Sequence, residues 1–103
     1  MTAREFLEKI PSRIDPNESK DITTTLHFEL SGSGNYTLNV VNGKAEFSEG
    51  LTGTPEVALK ADADDFVKIA SGDMNPMMAV MMGKLKISNP GAMMKYAKML
   101  GLM

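Results

Sequence analysis

The first part of the chain changes from a helical spacing of apolar residues to a strict alternation. A short helical stripe is formed by Phe6, Leu7 and Ile10. Thr2 and Glu5 have the spacing of a capping box, and Pro11 is expected to end or bend the helix. Residues 15–19 are typical of a loop. From residue 22 to residue 30, apolar or threonine side chains occupy every second position, which predicts a half-buried strand.

The same alternation predicts three further strands. Their apolar positions are Tyr36, Leu38 and Val40 in the second strand, Ala45 and Phe47 in the third, and Val57, Leu59 and Ala61 in the fourth. Asn42 and Gly43, between the second and third strands, favour a tight type I′ turn. Because neighbouring strands joined by turns pair in opposite directions, we expect the four strands to form an antiparallel meander.

The second half of the chain returns to helices, interrupted by one short strand. Three helices are predicted, and their caps are Asp62, Asn75 and Asn89. Leu85 and Ile87 mark a fifth strand between the second and third of these helices. The last helix has one apolar stripe, formed by Met93, Tyr96, Ala97 and Leu100. This order of elements predicts one α+β domain over residues 1–103, with a single sheet covered by helices on one face.

Few residues could carry out chemistry. Cysteine is absent, and the one histidine, His27, stands on the polar side of the first strand, where we expect a solvent-facing and dispensable side chain. Asp62, Asp64 and Asp65 form a carboxylate cluster that capping and the helix dipole explain. We therefore expect no catalytic residues, no metal site and no cofactor. The acidic balance and the six aromatic residues disfavour a nucleic-acid partner.

Charge is unevenly distributed along the chain. Residues 1–73 carry 7 basic and 13 acidic side chains, whereas residues 74–103 carry four lysines and no acid. These lysines form either a solvated face or a weakly basic surface that meets anionic lipid or phosphate. The chain has no run of 18 apolar residues and no apolar signal core near its start. With the lack of cysteine, this favours a cytoplasmic location.

Methionine is the most unusual feature of the composition. The chain has 10 methionines, and nine of them lie between residues 74 and 103. On a helix that begins at Pro76, one face consists of Met77, Met78, Met81 and Met82, and it should meet an apolar neighbour. Methionine is flexible and polarisable, so this face is either a core or dimer surface, or the wall of a pocket that adapts to varied apolar ligands.

Residues 72–89, GDMNPMMAVMMGKLKISN, resemble the signature segment of the sterol carrier protein 2 family, with the pattern G-x-M-N-P-x-x-A-x-x-x-G-K-L-K-I. Weaker agreement includes Asp65-Phe66, the Asn-Gly turn and the last helix. The resemblance implies a five-stranded, mostly antiparallel sheet covered on one face by helices. It also implies an apolar tunnel that accepts sterols, fatty acids, fatty acyl-CoA or phospholipids, without enzymatic residues. Lacking a peroxisomal tripeptide at residues 101–103, the chain is similar to the free-standing prokaryotic type.

We interpret the chain as a non-catalytic protein that binds, and by extension transfers, an apolar lipid. The expected ligand-binding residues are Phe66, Met77, Met78, Met81, Met82, Leu85, Met93, Met94, Ala97 and Leu100. The residues expected to dock the protein on an anionic membrane surface are Lys84, Lys86, Lys95 and Lys98. The alternative is an interaction or homodimerisation module that uses the methionine face without lipid, and the sequence leaves the oligomeric state open.

Overall fold

Ten elements follow one another in the computed structural model, which describes residues 1–100. They are α1 (Ala3–Arg13), α2 (Pro16–Ser19), β1 (Thr24–Ser31), β2 (Gly34–Val41), β3 (Lys44–Glu49), β4 (Val57–Asp62), α3 (Ala63–Ala70), α4 (Pro76–Met81), β5 (Leu85–Ile87) and α5 (Pro90–Leu100). Over the described range, none of the helices combines the length and the apolar character that crossing a membrane requires.

The five strands form one mixed sheet in the order β3-β2-β1-β4-β5. The expected meander is correct for β1, β2 and β3 but wrong for β4, which pairs with β1 in parallel and with β5 in the antiparallel sense. In this position the apolar strand β4 is paired on both sides. The more exposed strand β3 takes the edge, where polar side chains limit unwanted strand pairing.

The predicted apolar positions of the strands share one face of the sheet. One row across this face consists of Phe47, Leu38, Leu26 and Val57, and the next of Tyr36, Phe28, Leu59 and Ile87. Helices cover this face, which confirms the expected α+β arrangement. Phe66 of α3 lies at its centre, with its ring centroid 5.7 Å from that of Phe6 and 5.9 Å from that of Phe28.

The first two helices differ from expectation. The capping box of Thr2 and Glu5 is present, but α1 continues through Pro11 to Arg13. Because Pro11 stands in the last turn, the helix loses only one late hydrogen bond by including it. Residues 15–19 are not a plain loop, since Asp15 caps the short helix α2.

The turn between β2 and β3 is the predicted one. Asn42 and Gly43 have φ angles of 51° and 81°, as a type I′ turn requires. A Cβ atom on Gly43 would lie 2.7 Å from the carbonyl oxygen of Ser19, so a side chain there would collide with the end of α2.

His27 is not solvent-facing, contrary to expectation: it is 8% exposed. The connection between β3 and β4, residues 50–56, crosses the open face of the sheet and covers His27 and Thr37 there. His27 Nε2 lies 2.8 Å from the carbonyl oxygen of Thr52, and because a carbonyl only accepts, Nε2 donates. The neighbouring Thr37 hydroxyl donates to the Gly50 carbonyl at 2.7 Å and accepts from the Thr52 N–H at 3.0 Å. His27 thus anchors the crossover that allows β4 to pair with β1.

Candidate functional site

An apolar cavity of about 300 Å³ lies between the β4–β5 end of the sheet and helices α3, α4 and α5. Its floor consists of six buried residues, Leu59, Phe66, Ile69, Leu85, Met93 and Ala97. These floor residues come from the inward faces of α3, β4, β5 and α5, so the periodicity that buries the core also shapes the cavity.

The mouth of the cavity is formed by the beginnings of two helices. Its exposed residues are Asn75, Met77, Val80, Pro90 and Met94. The side-chain oxygen of Asn75 accepts from the N–H groups of Met77 and Met78 at 2.8 and 3.3 Å and so caps α4. Asn89 caps α5 in the same way, accepting from the N–H of Ala92 at 3.2 Å. The two Asn-Pro pairs therefore set where both helices begin beside the mouth.

Helix α5 is tied to the sheet by a carboxylate. Glu56 Oε1 accepts from the Thr24 hydroxyl at 2.6 Å and from the Tyr96 hydroxyl at 2.8 Å. These bonds, with that from Thr24 the larger cause, lower the pKa of Glu56 from its ordinary value. Because Tyr96 belongs to the same helix as Met93 and Ala97, the bonds help to hold one wall of the cavity in place.

Six of the ten predicted ligand-binding residues lie together on the cavity wall. They are Phe66, Met77, Leu85, Met93, Met94 and Ala97. Leu100 is buried in the core away from the wall. That the wall residues bind a ligand stays a prediction.

Of the methionine face of α4, Met77 lies on the cavity wall, and that the rest of the face meets an apolar neighbour stays a prediction. Met78, Met81 and Met82 are exposed and lie outside the cavity wall, with Met81 at 81% exposure. The residue that α4 buries is Ala79, because this small side chain lets the short helix approach β5. Successive residues of a helix are rotated by about 100° about its axis, which places Ala79 well away from the centre of the methionine face. Because Ala79 faces the sheet, most of the methionines face solvent. We call Met78, Met81 and Met82 the outer methionine surface.

All four predicted docking lysines are exposed, and they fall into two groups. Lys84 and Lys86 lie in a groove on the open face of the sheet, whose acidic residues are Glu29, Asp62 and Asp65. Lys95 and Lys98 lie beside the α1–α2 junction. None of the four is on the cavity wall. Their docking role stays a prediction.

Sequence reasoning did not assign Ile69, Leu59 and Ile87 to the wall. Ile69 follows Phe66 by three residues on the apolar face of α3, so helical spacing could have identified it. Leu59 and Ile87 are register partners across β4 and β5, a pairing that depends on the unpredicted sheet order. In the part of the chain that the structure describes, no three His, Asp or Glu side chains are grouped to hold a metal ion.

Comparison with known proteins identifies the family. The model of the SCP-2 sterol transfer family matches residues 4–101. The chain is similar to hydroxysteroid dehydrogenase-like protein 2 of Xenopus tropicalis, with 38% identity over 97% of this chain. It spans about a quarter of the length of that relative, 25%.

Two solved structures share the fold at 20% sequence identity. Palmitated SCP2L2 from Aedes aegypti has a TM-score of 0.72 and aligns over 97% of this chain and 95% of its own. The sec-alkylsulfatase Pisa1 from Pseudomonas sp. has a TM-score of 0.82 and aligns over 100% of this chain and 16% of its own. With a family match over nearly all described residues, this chain belongs to the SCP-2 sterol transfer family, a family of domains that bind or transfer lipids.

Proposed function

We propose that the cavity holds the apolar part of a lipid and that the protein performs no chemistry on it. The observation that carries the proposal is the wall itself. Among the described wall residues Asn75 is the polar one, and its side-chain oxygen already caps α4. Neither a nucleophile nor an acid–base pair lies on this wall, so apart from the Asn75 side chain a ligand there meets apolar surface.

The size of the cavity is adequate for part of an acyl chain. A volume of about 300 Å³ lies at the lower end of the range in which proteins hold small ligands. Burying a dozen methylenes contributes about 10 kcal/mol before ordering costs, whereas micromolar affinity needs about 8 kcal/mol. The burial free energy is therefore of the size that micromolar binding requires, before ordering costs are subtracted.

Fatty acids and fatty acyl-CoA are the ligand classes we favour, ahead of phospholipids and sterol-like molecules. The Aedes aegypti protein with this fold was solved in palmitated form, which supports an acyl chain as ligand of the present cavity. The mouth between α4 and α5 leaves a polar headgroup in solvent, as an acyl-CoA or a fatty acid requires. Flexible methionines at Met77, Met93 and Met94 give low selectivity among chain shapes.

Native mass spectrometry of the purified protein tests this function. We expect a monomer that carries lipid of acyl-chain mass or takes up added palmitate at a ratio of one to one. A ligand-free dimer that takes up no palmitate contradicts the proposal and favours the homodimerisation module.

We propose further that the protein docks on anionic membranes while it exchanges its ligand. The outer methionine surface supports this, because Met78 and Met81 of α4 and its C-cap Met82 are all exposed beside the cavity mouth. Residues 74–100 carry lysines and no acid, which suits an anionic headgroup layer. Lys95 and Lys98 should contribute more than Lys84 and Lys86, since the latter share their groove with three carboxylates.

A further inference from the structure

The methionines near the cavity differ sharply in their exposure. Met77 and Met94 stand at the mouth and are 57% and 52% exposed, whereas Met93, beside Met94 in the chain, is 6% exposed on the floor. Met77 and Met94 thus combine two properties: they belong to the apolar wall, and more than half of each residue is open to solvent.

This combination makes both side chains targets for oxidation. The sulfur lone pair attacks one oxygen of a hydroperoxide, the O–O bond breaks, and the methionine becomes a sulfoxide while the hydroperoxide is reduced to water or an alcohol. The sulfoxide is polar and chiral, and it can be reduced back. A leucine at either position would present a similar apolar surface without a group that oxidises.

We infer that Met77 and Met94 are an oxidation site through which hydroperoxides weaken ligand binding. A sulfoxide oxygen on the wall faces an apolar ligand that cannot donate a hydrogen bond to it, so water or the side-chain N–H of Asn75 has to satisfy it instead. The ligand therefore covers a polar group to which it can offer no hydrogen bond. The inference rests on the proposed function, since it concerns retention of the same ligand.

Oxidation of Met77 and Met94 can be distinguished from oxidation of the protein core, because the methionine on the cavity floor is buried. Met93 is shielded from solvent, so mild oxidation should leave it unmodified while the mouth is converted. The outer methionine surface supplies the matched control, because Met78 and Met81 are as open to oxidant as the mouth but lie off the wall.

The test is oxidation of the full chain with hydrogen peroxide, followed by peptide mass spectrometry and titration with a fluorescent fatty acid. Wild type, Met77→Leu/Met94→Leu and Met78→Leu/Met81→Leu are compared before and after oxidation. We expect wild type and Met78→Leu/Met81→Leu to lose at least tenfold in affinity. Met77→Leu/Met94→Leu should stay within about threefold of its starting value. Reductases for both sulfoxide epimers should restore wild-type binding.

The outcomes separate the two proposals. If the unoxidised protein binds no fatty acid, the proposed function fails and this inference falls with it. If unoxidised protein binds but affinity survives full conversion of Met77 and Met94, only the oxidation site is wrong. It is also wrong if Met77→Leu/Met94→Leu loses as much as wild type, or if the loss coincides with unfolding seen by circular dichroism.

Discussion

The Tyr96 hydroxyl donates a hydrogen bond of 2.8 Å to the carboxylate of Glu56, forty positions earlier in the chain. Glu56 precedes β4, and Tyr96 lies in the middle of α5, so the bond joins the helix that bears Met93 and Ala97 to the sheet beneath it. The same carboxylate oxygen accepts from Thr24 of β1 at 2.6 Å. One exposed acid therefore helps to position a wall of the cavity.

The first prediction concerns the acid stability of this arrangement. The pKa of Glu56 is lowered in the folded protein by its hydrogen bonds to Thr24 and Tyr96. Its contribution to stability is therefore complete above its ordinary pKa of 4.5 and is lost as pH falls through the lower folded value. We expect Glu56→Gln to flatten the acid side of the curve of unfolding free energy against pH.

Urea unfolding between pH 7 and pH 3 measures this effect. Glu46→Gln, which changes an exposed carboxylate on β3, is the control and should retain the wild-type slope more fully. If Glu56→Gln and wild type give parallel curves, the carboxylate does not hold α5.

The second prediction reverses the expectation from sequence for His27. His27→Ala removes a buried ring and leaves the Thr52 carbonyl without its donor, which should destabilise the fold by about 1–2 kcal/mol. Fatty-acid affinity should not change, because His27 lies on the opposite face of the sheet from the cavity. Chemical denaturation measures the loss, and Ser31→Ala, which changes an exposed side chain on the same face of β1, is the control. Unaltered stability would show that His27 does not anchor the crossover.

The third prediction concerns a substitution that fills the cavity with a larger side chain. Ala97 is buried on the wall, so Ala97→Leu should lower fatty-acid affinity at least tenfold by occupying the space of the acyl chain. Stability should change by less than about 1 kcal/mol, since the added atoms enter existing space. Ala92→Leu, on the same helix but off the wall, should bind like wild type. Equal affinities for Ala97→Leu and wild type would place the ligand elsewhere.

The fourth prediction tests the docking lysines. Lys95→Ser/Lys98→Ser should slow transfer of fatty acid from anionic vesicles several-fold at low salt. The difference should shrink at 1 M salt, where the screening length falls to about 3 Å. Lys44→Ser/Lys68→Ser removes the same charge from β3 and α3 and should transfer at the wild-type rate. If both double variants transfer alike at low salt, Lys95 and Lys98 form only a solvated face.

The sequence predicts most of this fold because its local signals agree with one another. Alternation identifies the strands, the Asn42-Gly43 turn has its predicted backbone, and Asp62, Asn75 and Asn89 cap the helices that they were expected to cap. The parallel pairing of β4 with β1 was missed, since it depends on a crossover whose hydrogen bonds come from residues 50–56. No local pattern encodes the pairing of strands that are joined by such a long connection.

In the candidate site, too, the local features were predicted from the sequence and the contacts between distant residues were not. The stripe of Met93 and Ala97 on α5 was predicted from spacing, and both residues lie on the wall. The face of Met77, Met78, Met81 and Met82 was also predicted from spacing, but the spacing does not say what each methionine meets: Met77 lies on the wall and the other three are exposed off it. The orientation of α4 is set by Ala79, which is buried against the sheet. Its small side chain gives a much weaker hydrophobic signal in the sequence than the four methionines do.

The central claim is that an acyl chain occupies the cavity floor. Nuclear magnetic resonance of protein labelled at its methionine methyl groups tests it most directly, with added ¹³C-palmitate. We predict cross-relaxation between the acyl chain and the methyl groups of Met77, Met93 and Met94, and none for Met81. Shifts confined to Met78, Met81 and Met82 that grow with protein concentration, without any contact to palmitate, would contradict the claim and identify a homodimer face instead.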